Sequence, residues 1–135
     1  MEQNLRMPKK LALIGGYLII ASGVVNAGLG MSIGALYYYP YPGGNMGHVG
    51  IIAGIAAIIL GILIVFAVVP LYKRPNRGYV ALGGLLTIVL GHLGAVAGVI
   101  YVGTLGLLLC YIAGFWALIL AGIIGKKMNK PPIAR

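Results

Sequence analysis

Acidic residues are almost missing from this chain. One glutamate, Glu2, stands against ten lysines and arginines in 135 residues, and only 8% of the sequence is charged. A water-soluble globular domain draws about a quarter of its residues from the charged types, so that class is excluded. Proton- or cation-coupled transport ordinarily needs a titratable carboxylate within the bilayer, and the apolar segments supply none. Cysteine is limited to Cys110, which rules out a disulfide within the chain. Its place in an apolar run marks it as a small packed residue.

What remains is overwhelmingly apolar. Hydrophobic residues make up 61%, glycine contributes 23 positions, and the mean hydropathy is +1.03. Four runs, at 11–36, 49–69, 79–101 and 105–124, are each long enough for a hydrocarbon core that takes about 20 helical residues to cross. Backbone groups in lipid must be satisfied within their own segment, so these runs are expected to be helices. They are continuously apolar rather than alternating, which argues against a barrel. The expected fold is an all-α membrane protein, one four-transmembrane-helix bundle spanning residues 1–135. Lys9 and Lys10 followed by an apolar stretch resemble a signal peptide. The apolar character runs on through Leu36, too far for a signal core, so this segment is expected to remain as a span.

The ten positive charges fall in three clusters. Arg6, Lys9 and Lys10 precede the first run; Lys73, Arg74 and Arg77 separate the second from the third; Lys126, Lys127, Lys130 and Arg135 follow the fourth. The positive-inside rule then places both termini and the middle loop in the cytoplasm, in a cell-type membrane. The net charge of +9 is read as juxtamembrane anchoring, with Lys73, Arg74, Arg77, Lys126 and Lys127 meeting lipid headgroups. Nucleic acid is not an expected partner. Pro70–Gly78 is expected to be the loop joining two hairpins, and 102–104 a tight turn between the third and fourth helices. Four tyrosines between Tyr37 and Tyr41 fit an interfacial aromatic belt.

The two halves resemble each other. At an offset of 68, Gly83, Gly84, Gly91 and Gly98 fall on Gly15, Gly16, Gly23 and Gly30; at an offset of 60, Ala113, Gly114 and Ala117 fall on Ala53, Gly54 and Ala57. This predicts a tandem repeat of two helical hairpins, at about 9–72 and 78–127, related by an axis along the membrane normal.

Helices in lipid associate by close van der Waals approach, which small residues permit. Candidate packing positions are Ser22, Gly30 and Gly34 on the first helix, Gly50 and Gly54 on the second, Gly83, Gly91, Gly94 and Gly98 on the third, and Gly114 on the fourth. Some helices carry two such faces, one of which could meet a partner subunit or a second copy of the chain.

No serine–histidine or aspartate pair can be assembled within the spans, so no enzyme activity is expected. The embedded glutamate of small four-span multidrug transporters has no counterpart here, nor does the carboxylate of rotary-ATPase rotor subunits. Counting about 1.5 Å per residue along each helix places Asn26, His92, Cys110 and Tyr111 in one layer, where they could form a buried polar cluster. His92 is expected to be a neutral histidine bonded to Asn26, a tyrosine or a backbone carbonyl. His92 and His48 are the only candidates for cofactor binding. A haem or metal between them is disfavoured, because no carboxylate is at hand to orient either ring, and the expectation is no cofactor and no metal. The sequence therefore points to a structural or accessory subunit of a larger membrane complex. Two other readings stay open: a redox subunit contacting haem, metal or a quinone-like ligand through His92, and an oligomeric channel or transporter for a neutral or lipidic solute lined by Ser22, Asn26, Thr87 and His92.

Overall fold

The computed structural model describes residues 2–29, 46–74, 76–98 and 100–128. All regular structure among them is helical: α1 (Glu2–Leu29), α2 (Met46–Leu63, continued by a wider turn at Ile64–Val68 and a tighter one at Val69–Lys73), α3 (Arg77–Ala97) and α4 (Ile100–Met128). Each of the four is long and apolar enough to cross a bilayer, which makes this a multi-pass membrane protein by length and composition. Between 33 and 39% of the residues in each span are fully buried inside the bundle, and the rest divide between half-buried and outward-facing positions.

Several boundaries differ from the sequence reading. Helix α1 starts at Glu2, nine residues before the apolar run, and carries Pro8 in its second turn, where the missing N–H forfeits one bond to the carbonyl four residues before it. The expected loop at Pro70–Gly78 is largely helical, since one helical segment runs to Lys73 and the next begins at Arg77. The turn joining α3 to α4 lies around Gly98, and residues 102–104 already belong to α4. The tyrosine-rich segment, together with Gly30 and Gly34, lies outside the described residues.

Proline explains the end of α2. Pro70 has no N–H to give to the carbonyl four residues before it, and its ring would crowd that carbonyl. The helix widens just ahead of it, so that the Val69 N–H bonds Ile64 O, five residues back, and then tightens through Val69–Lys73. This change of pitch delivers Tyr72, 2% exposed, into the core. Asn76 then caps α3, its side chain accepting from the Gly78 N–H at 2.9 Å.

The helices form a ring in which α1 packs along α2 and α4, and α3 along α4; α2 and α3 touch less extensively. Glycines set the approach at each crossing. A Cβ at Gly23 would lie 2.6 Å from Gly54 O, and one at Gly61 2.9 Å from Gly16 O, so α1 and α2 meet backbone to backbone. Across α3 and α4, a Cβ at Gly84 would lie 2.8 Å from Gly114 O. The adjacent Gly15 and Gly16 serve two neighbours, Gly15 facing Gly106 and Cys110 on α4 while Gly16 faces Gly61 on α2. The crossings of the two hairpins correspond by 84 − 16 = 68 on the first helix but by 114 − 61 = 53 on the second. The second value is seven residues, two helical turns, away from the 60 of the sequence alignment.

All eight described lysines and arginines lie at one end of this ring, within the first three turns of α1, around the α2–α3 connection and at the end of α4. Arg77 lies against Gly125, and the Arg74 guanidinium sits 5.0 Å from the centre of the Tyr79 ring.

Candidate functional site

The polar residues of the spans divide into an inner and an outer set. Inside, Tyr72 on α2 and Thr87 on α3 are joined at 2.7 Å, and Thr87 Oγ1 donates to Gly83 O at 2.7 Å. A hydroxyl has one hydrogen, so Thr87 has none left for Tyr72, and the tyrosine must be the donor between them. Further along, Asn26 Nδ2 donates to Ala97 O at 3.0 Å, closing the end of α3 against α1. Its Oδ1 is buried with no partner among the described residues. Ser22 packs on Gly98 and Gly103.

Of the layer expected for Asn26, His92, Cys110 and Tyr111, the last three lie at one level, within a residue of each other along α3 and α4, and Asn26 does not. Asn26 meets the last residue of α3, whereas His92 lies five residues, about 7 Å, below it. Cys110, at the level of His92, turns the other way and is wholly buried between Gly15 and Gly91. Depths counted from Leu11 misplace α1, because the helix begins at Glu2 and the apolar run does not mark its position against the other three. Only His92 and Tyr111 come together.

They do so on the outward face of the α3–α4 hairpin. His92 Nδ1 and Tyr111 Oη are 2.7 Å apart, and the two rings lie within 12° of parallel at a centroid separation of 6.1 Å. Tyr111 meets Phe115 edge-on at 6.1 Å. Below them an open concavity of about 410 Å³ runs along α4, lined by Tyr111, Ile112, Phe115, Trp116 and Ile119. Helical spacing explains the lining, since these residues fall at i, i+1, i+4, i+5 and i+8 of one face.

Hydrogen counting gives the pair its chemistry. A neutral imidazole carries one N–H, a phenol one O–H, and the bond between them consumes one of these two hydrogens. The other is left without a partner among the described residues, whichever tautomer is present. An unpaired donor facing hydrocarbon costs about 2 kcal/mol or more, so this spot favours a molecule bearing an acceptor.

The other candidates are placed as follows. Gly50, Gly54, Gly83, Gly91, Gly94, Gly98 and Gly114 are all buried within this chain's own bundle, and Gly28 and Gly122 are the described glycines that face open space. Ser22, Asn26 and Thr87 are sealed in the interior at 0–1% exposure, so they cannot line a passage between copies. His48 lies in the first turn of α2, with its side chain outside the described residues. Among the described residues no three histidine, cysteine or acidic side chains converge. Lys73, Arg74, Arg77, Lys126 and Lys127 are exposed at the basic end, where a small cleft lies between Asn4, Leu5, Ile124 and Lys127.

Sequence reasoning missed Gly16, Gly23 and Gly61 as contact points. A usable signal was present: Gly16 and Gly23, Gly54 and Gly61, and Gly84 and Gly91 are each seven apart, two turns along one helix face. The chain matches no family model, no curated protein and no solved structure.

Proposed function

We infer that this chain is a non-catalytic accessory subunit of a larger membrane complex, a self-contained bundle whose working surface is the outward face of α3 and α4. The observation that carries this reading is the His92–Tyr111 pair. It is a polar group set on a face that otherwise presents Ile112, Phe115, Trp116 and Ile119 to the bilayer. Polar side chains within membrane spans turn toward partners or cavities by default. The glycines do not support a partner surface of their own, because those at the crossings already hold the chain together.

A photo-reactive residue at Ile119 is expected to cross-link a distinct membrane protein in the native membrane. The same residue at Ile55 on α2 is expected to give lipid adducts only. Adducts with no protein from either site would overturn the accessory role.

The basic end is proposed to face the cytoplasm, with its exposed cations against anionic headgroups. Asn76→Cys should then react with a membrane-impermeant maleimide only in inverted vesicles or lysed cells. Cys110, fully buried, supplies a silent background. Labelling of intact cells would reverse the topology.

The two hairpins are proposed to descend from one duplicated unit that slid along its partner helix by two turns. Such a slide keeps the same face in contact, which reconciles the 68 and 60 offsets of the sequence with the 68 and 53 of the glycine crossings.

A further inference from the structure

We propose that the His92–Tyr111 pair and the concavity below it form a binding site for the head group of a lipid-soluble quinone. This rests on reading the pair as the docking point described above, and it names the chemistry of the occupant. The first reason is the unspent hydrogen. A quinone presents carbonyl oxygens, which accept but cannot donate, so it answers either tautomer of the pair. The second is depth. His92 lies five residues, about 7 Å, inside the end of α3 and within an apolar span, a place that a quinone ring dissolved in the hydrocarbon can reach.

Shape supplies the third reason. The imidazole and phenol are nearly parallel, and the indole of Trp116 and the ring of Phe115 continue the surface, so a flat ring has aromatic faces and edges to lie against. A volume of about 410 Å³ fits a small head group whose tail leaves sideways into the lipid. No electron transfer is assigned to the chain; the site binds and orients.

Trp116 is the sole tryptophan, and it lines the concavity, so its emission reports occupancy directly. The experiment uses the full chain in nanodiscs titrated with a decyl-substituted benzoquinone. The expected result is saturable quenching, with the apparent Kd raised at least tenfold in His92→Phe and less in His92→Gln, which keeps an N–H donor. Decylbenzene, which lacks the carbonyls, should not compete at tenfold excess, and this arm needs no variant to fold. Quenching that rises linearly and equally in wild type and His92→Phe would reduce the effect to partitioning and overturn the proposal. Competition by decylbenzene would do the same. A change in Trp116 emission on replacing ester with ether phospholipids, with no saturable response to quinone, would assign the hydrogen to a lipid carbonyl instead. Quinone binding without a protein cross-link from Ile119 would sink the accessory role and leave this site standing; the converse would sink this site alone.

Discussion

Gly54→Leu is expected to prevent formation of the bundle, while Gly122→Ala is expected to leave it intact or slightly more stable. A Cβ at Gly54 would lie 2.5 Å from the Ala27 nitrogen and 2.6 Å from Gly23 O. Both are backbone atoms of a helix and cannot rotate away. The helices must separate, and the Gly16–Gly61 approach two turns along is lost with the first. Overpacking of this kind costs on the order of 3 kcal/mol or more, a large part of the stability of any domain. Gly122 has nothing within 4 Å of its Cβ position. Alanine there gains about 0.5–1 kcal/mol of helix propensity with nothing to displace. Unfolding followed by Trp116 emission in detergent mixtures would measure both. Similar losses at the two positions would show that the glycines do not act through close approach.

The second large effect is asymmetric within one hydrogen-bonded pair. Thr87→Val keeps the shape of the side chain but strands the Tyr72 hydroxyl hydrogen in the core, where no described group replaces its acceptor. The expected loss is about 1–3 kcal/mol. Tyr72→Phe removes the hydroxyl altogether, and Thr87 still donates to Gly83 O. About 0.5–1 kcal/mol is expected there. The double variant should be more stable than Thr87→Val alone, because the orphaned group is gone. A greater loss from Tyr72→Phe than from Thr87→Val would mean that the donor direction deduced here is wrong.

The spans were legible because lipid imposes one demand on every residue, and four continuous apolar runs satisfy it in only one way. Their ends were less so. Apolar runs mark where lipid can be, not where a helix stops, so α1 runs back to Glu2 through Arg6, Lys9 and Lys10, charges that do not interrupt helical hydrogen bonding. Pro70 looked like the start of a loop because a proline inside a helix forfeits a bond, and the widened turn that absorbs the loss has no signature in composition.

The site was half visible. His92 and Tyr111 stood out as polar residues in apolar surroundings, but facing positions depend on how α3 and α4 cross, and that is fixed by Gly84 against Gly114 rather than by either residue. Asn26 was grouped with them because depth was measured along each helix separately. Contacts between helices, such as Ile19 on Gly94, set the real levels.

Since about a third of each span is fully buried and a further share only half-buried, the outward-facing remainder is under a single loose requirement, to dissolve in lipid. At those positions leucine, isoleucine, valine and phenylalanine can exchange over evolutionary time at little cost. The rigid part of the inheritance is a sparse grid: glycines at Gly16, Gly23, Gly54, Gly61, Gly84 and Gly114, the Tyr72–Thr87 bond and the Asn26 clasp on Ala97. Overall identity between descendants would decay quickly while the architecture stayed fixed. Kinship in such a lineage is carried by the spacing of its smallest residues.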